Sequence, residues 1–164
     1  RDRCRFIDVD IRLVALVDDV SIGGRPGAGY GGFTIRTYPE FDQRKIDMHI
    51  DPASATPRQA WFHLSGNFPG GKGPAGMALM EHVSNPDYPS YPDPETSDKI
   101  PGGYPSWRTV QPAWPGDREV PLPKGEPLVL KHRLWIHPGQ SDAKTLADAW
   151  TTYAQPVSTT LEIK

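Results

Sequence analysis

Cysteine is almost missing from this chain: Cys4 is the single one in 164 residues, so no internal disulfide can form and no thiolate metal site can be assembled. The redox compartment stays undetermined. Long apolar runs are missing too. The longest aliphatic stretch, Leu13-Val14-Ala15-Leu16-Val17, is five residues, against the roughly 20 that a spanning helix needs, so no transmembrane segment is expected. Neither sign of charge dominates. Lys plus Arg total 18 and Asp plus Glu 20, and a net charge of -2 lacks the basic surplus that phosphate neutralisation demands. No nucleic-acid partner is expected.

Local chemical motifs are also scarce. The five histidines, His49, His63, His82, His132 and His137, are never spaced i,i+2 or i,i+4, so no HExxH-type metal motif exists, and any metal site would have to be built from distant strands. No metal and no cofactor are expected. Ser65 in LSGNF lacks a GxSxG elbow, and Gly23-Gly24 and Gly70-Gly71 do not stand between a strand and a helix as a phosphate loop would. Those glycines read as turn residues.

What the chain has in quantity is Pro (19) and Gly (16), 35 of 164 residues, or about 21%, below the roughly 25–30% of low-complexity disorder. A folded protein with many turns follows. With 37% hydrophobic residues the chain supports one packed domain. Residues 5–17 alternate, with Phe6, Asp8, Asp10 and Arg12 opposite Ile7, Val9, Ile11 and Leu13, the period of a strand with one wet face. Gly31–Thr37 restarts the alternation, with Phe33 and Ile35 on one face and Thr34 and Arg36 on the other. Further short strands are predicted over 45–50, 60–64 and 77–83. The strongest prediction is 127–137, with Leu130, His132, Leu134 and Ile136 on one face and Lys131, Arg133, Trp135 and His137 on the other. One helix is predicted near Ser141–Ala154, capped by Ser141 or Asp142, with Leu146, Ala149, Trp150 and Tyr153 at helical spacing.

From Pro69 to Pro127 there are 13 prolines in 59 residues, which predicts long ordered loops, because proline donates no ladder hydrogen bond. Loops rich in Tyr88, Tyr91, Tyr104, Trp107 and Trp114 rather than Ser and Lys read as site walls. Within them EHVSNP (81–86) places a carboxylate, an imidazole and an amide at a strand end. His82 and Asn85 there serve either a ligand or the turn itself. Arg36 and Arg133, inside apolar strands, each need a carboxylate, a ligand or solvent.

The blocks GGFTIR (31–36), WFHLSG (61–66), GMALMEHVSNPDYPSY (76–91) and LVLKHRLWIHPG (128–139), followed by the helix, resemble the PmoA-like family, DUF6807, over roughly residues 6 to 154. The resemblance implies an all-β fold: an antiparallel β-sandwich with long Pro/Gly-rich loops and one C-terminal helix, the C-terminal part of a supersandwich similar to galactose-mutarotase-like carbohydrate proteins. It implies a partner for the sheet, either a missing N-terminal half or another chain, and a sugar or glycan ligand in a cleft on the concave face. The family pattern has an aspartate before the histidine of the HxSNP block where this chain has Glu81, and the stretch that follows is long in Pro and Tyr. Those departures bear on substrate choice.

On this reading Trp107 and Trp114 stack on sugar faces while Arg36, Asn85 and Arg133 bond hydroxyls or a carboxylate. His82 is the expected general acid/base, since an imidazole exchanges protons near neutral pH. Glu81 is its alternative, because alternation turns only one of the pair toward the cleft, and His63 is secondary. Arg36, His82 and Arg133 are expected to share one polar concavity. The alternative function is a non-catalytic glycan-binding or structural sandwich in which these residues brace loops.

Overall fold

The computed structural model describes residues 4–24, 31–36, 47–49, 60–67, 71–89, 91–92, 109–110, 112–116 and 118–154, with the backbone alone at 36, 47–49, 67, 91–92, 109–110 and 113. The described strands are β1 (Arg5–Val14), β2 (Val20–Gly23), β3 (Ile35–Arg36), β4 (Asp47–His49), β5 (Trp61–Asn67), β6 (Pro74–Glu81), β7 (Tyr91–Pro92), β8 (Thr109–Val110), β9 (Pro112–Ala113), β10 (Glu119–Leu122) and β11 (Pro127–Pro138). Helix α1 (Ala143–Ala154) follows. The main sheet has five strands in the order β1-β11-β6-β5-β4, and β10-β2, β3-β8 and β7-β9 form two-stranded ladders. All these ladders are antiparallel. The fold is therefore mostly antiparallel β, sandwich-like, with one C-terminal helix.

Position in the sheet explains each strand's composition. β6 is central and covered on both faces, so its apolar residues run almost without alternation and Ala78, Leu79 and Met80 are all buried. β1 lies at an edge, where alternating charges discourage further pairing. The strand pattern of residues 5–17 stops early. Ala15 makes only an isolated bridge to Lys124, and Leu16 and Val17 are exposed before Asp19 turns the chain at φ 58°.

The alternation along β11 is realised as expected. One sheet face carries Trp61, Ala78, Met80 and Trp135 and is covered by Leu146, Ala147, Ala149, Trp150 and Tyr153 of α1. The other carries Phe62, Leu64, Leu79, Met77 and Leu134 and is covered by Phe33 and Ile35. Asp142 caps α1, its Oδ1 accepting the Thr145 N–H at 2.7 Å. Trp150 Nε1 donates to the Glu81 carbonyl at 2.9 Å and ties the helix to the end of β6.

Two expectations are corrected in extent. Among the described residues of the 31–37 segment, Ile35–Arg36 is strand, paired to β8. The proline-rich stretch is not loop alone, since it supplies β7, β8, β9 and β10. Pro92, Pro112 and Pro121 sit in two-stranded ladders, Pro121 opposite Ser21, while Pro74 and Pro127 stand at the first positions of β6 and β11 in the main sheet.

Candidate functional site

The end of β6 organises the polar residues singled out in the sequence. Its last rung pairs Glu81 with His132. Alternation then sends Glu81, fully buried, to the Phe33 side, where the Phe33 ring lies 5.2 Å from that of His132. His82 emerges on the helix side, its ring edge-on to Tyr153 at 5.3 Å. Neighbouring Glu81 and His82 thus serve opposite faces.

On the β6 side the ladder ends at the Glu81–His132 pair, and the turn supplies partners for the Lys131 backbone there. The His82 N–H donates to the Lys131 carbonyl at 3.2 Å. Asn85 Nδ2 donates to the same carbonyl at 2.9 Å, and Asn85 Oδ1 accepts the Lys131 N–H at 2.7 Å. A carboxamide carries the same donor and acceptor as a peptide group, so buried Asn85 extends the ladder by one rung. Both polar groups of Asn85, expected to serve a ligand or the turn, are engaged by the Lys131 backbone.

The turn also fixes the His82 tautomer. The Ser84 N–H donates to His82 Nδ1 at 3.1 Å, and Ser84 Oγ lies 2.7 Å from the same nitrogen. A backbone N–H can only donate, so Nδ1 carries a lone pair and the neutral ring holds its proton on Nε2. Burial first, and then the charge of Lys131, lower its pKa from the ordinary histidine value, while Asp10 opposes them. The neutral ring therefore dominates at neutral pH. With Nδ1 committed to Ser84 and Nε2 protonated, His82 is built to donate a hydrogen bond. The general acid/base role expected for His82 would have to be exercised at Nε2, the ring nitrogen not bound to Ser84.

Arg133 shares Tyr153 with His82, its guanidinium lying 4.6 Å from that ring's centroid and 5.3 Å from that of Phe6. Nε and Nη2 bind the two Asp8 carboxylate oxygens at 2.6 and 2.8 Å. That hydrogen bonding is the main reason the Asp8 carboxyl titrates below its usual range and the Arg133 guanidinium above its own. The need of Arg133 for a carboxylate is thus met inside the protein. Burial, followed by the Asp8 and Asp10 charges, pushes the Tyr153 phenol up, so it stays protonated.

Trp114 is buried, and its Nε1 donates to Asp87 Oδ2 at 3.0 Å. Arg118 binds the same carboxylate. Trp114, expected to stack on a sugar face, is a buried ring that ties its loop to Asp87. Trp107 lies outside the described residues, as does the side chain of Arg36, so the expected concavity is described only for His82 and Arg133, which share the helix-bearing face. Tyr88 stacks on Trp150 at 6.1 Å, and burial pushes its phenol up to about 12.

One arrangement lay beyond the sequence reading. His63 and His137, 74 positions apart, bring their Nε2 atoms to 3.0 Å inside the sheet, with ring planes at 14°. Face assignment placed His137 beside Trp135, but spacing holds no sign that β5 and β11 flank the same residue of β6. Gly76 was the available signal, since a glycine inside a strand marks a close approach.

A protein-family model described as a family of unknown function, DUF6807, matches residues 1–151. The chain belongs to the DUF6807 family. No curated protein and no solved structure gives a match. Among the described residues no helix is long and apolar enough to cross a membrane.

Proposed function

We propose that this DUF6807 chain binds a sugar or glycan on the helix-bearing face at the β1–β11 edge, as a recognition surface rather than a His82-driven catalyst. The observation that carries the reading is Phe6. Phe6 is 51% exposed, and its ring is stacked on Trp135 at 5.9 Å with 13° between planes and has the Arg133 guanidinium beside it. A flat apolar surface rimmed by fixed hydrogen-bonding groups suits a pyranose, which has an apolar C–H face and a hydroxyl edge. Asp8, Asp10 and Lys131 follow along the same face, and His82 Nε2–H adds a donor. Similarity to galactose-mutarotase-like proteins, and completion of the sheet by further chain, belong to the same proposal.

A glycan array followed by fluorescence titration tests it, because Trp135 under Phe6 reports a bound ring. The expected result is a saturable change that is lost in Phe6→Ala and weakened in His82→Ala. Binding untouched by Phe6→Ala would overturn the surface, and turnover of a sugar lost in His82→Ala would restore a catalytic role.

A further inference from the structure

Strand β1 ends the five-stranded sheet, and among the described residues no strand pairs with its outer edge. Phe6, Ile7 and Val14 are exposed along it, and Val9, Ile11 and Leu13 are half-buried. A ten-residue edge with this much open apolar surface invites another strand unless its charges forbid one. Register fixes where those charges stand. Asp8 is opposite Arg133 of β11 and bound to it, Asp10 is opposite Lys131, and Arg12 is opposite Val129. Each aspartate thus faces a cation, whereas Arg12 faces an apolar residue, and among the described residues Arg12 forms no ion pair. An unmatched guanidinium on an open edge favours a neighbouring strand that sets a carboxylate opposite it.

β1 itself is such a strand. A two-fold axis normal to the sheet sets a second β1 beside the first, antiparallel and with the same face outward. With the axis at Ile11, Asp10 of each copy faces Arg12 of the other, Val9 faces Leu13 and Ile11 faces its own counterpart. Unlike charges then meet on the helix-bearing face and aliphatic side chains on the Phe33-bearing face. An axis at Asp8, Asp10 or Arg12 sets that residue against its own copy, and an axis at Val9 sets Asp8 against Asp10. Ile11 is the centre that pairs unlike charges without pairing like ones, so the charges that turn other strands away admit this one. We propose that β1 is a self-recognition edge, through which two copies of this chain join their main sheets by antiparallel β1–β1 pairing centred on Ile11. The pairing is independent of glycan binding, whose Phe6 platform lies beyond the paired residues 8–14.

Sedimentation velocity of the complete chain over a range of concentrations tests this. A reversible dimer is expected, with Kd weakened at least about tenfold in Asp10→Arg and in Arg12→Asp, because each change turns two unlike pairs of the dimer into two like ones. Mixing the two variants restores both unlike pairs, so they must associate with each other more tightly than either does with itself. Circular dichroism checks that the variants fold. Amide exchange of the unaltered chain gives an arm that needs no substitution: residues 8–14 must exchange more slowly as concentration rises. A monomer at every concentration, a dimer indifferent to both variants, no gain on mixing two folded variants, or residues 8–14 protected equally at every dilution, the mark of a segment of the same chain on that edge, would each overturn the proposal.

Discussion

Asn85→Ala separates a ladder-extending amide from a ligand-binding one. The substitution removes the 2.9 Å bond to the Lys131 carbonyl and the 2.7 Å bond from the Lys131 N–H. The two sides are not equivalent. The carbonyl keeps the His82 N–H at 3.2 Å, so its loss is one ordinary hydrogen bond, about 1 kcal/mol. The Lys131 N–H loses its Asn85 acceptor in a part-buried position, with a penalty of about 1–3 kcal/mol. Together these put the destabilisation at about 3 kcal/mol, measurable as a lower urea midpoint at unchanged m-value. Asn85→Asp keeps an acceptor for the N–H but turns an oxygen toward the carbonyl, so it should destabilise as well. A loss below about 1 kcal/mol for Asn85→Ala, well under a single unsatisfied amide, or an Asp variant as stable as the parent, would refute the strand-extension argument.

Three further outcomes follow from the same geometry. Burial lowers the His132 pKa to about 4 against Asp10's opposing pull. Only the unfolded ring takes up a proton as pH falls below about 6.5, so this contribution is full above that pH and is lost toward pH 4, by about 3 kcal/mol. Urea midpoints from pH 7 to 4 should fall steeply, and an equally steep fall in His132→Gln would exclude His132 as the source. Gly76→Ala should cost about 1–3 kcal/mol in thermal unfolding, since its Cβ meets both buried imidazoles, and a neutral result would mean that the rings retreat freely. A double-mutant cycle on Asp8→Asn and Arg133→Met should give a salt-sensitive coupling of about 1 kcal/mol or less, because Asp8 is 55% exposed, and a coupling several times larger would show a pair shielded from solvent.

Much of the fold was legible in residue order. Two-residue alternation in 127–137 determined which side chains of β11 share a face, and the 3.6-residue recurrence of Leu146, Ala149, Trp150 and Tyr153 determined which side of α1 packs. Charges alternating along 5–13 marked a strand with a wet side. These are properties of one segment and its own period, and the hydrophobic effect reads them without reference to the rest of the chain.

The site was decided by tertiary structure. Asn85 became a rung because β6 ends opposite His132, one position short of Lys131, and strand ends are not written in periodicity. His82 and Arg133 meet through Tyr153, which a helix arriving from the far end of the chain places between them. His63 and His137 meet because β5 and β11 are both neighbours of β6, with Gly76 in the gap. Local period fixes the face on which a side chain stands, but which strands become neighbours depends on how the whole chain buries its apolar faces at once.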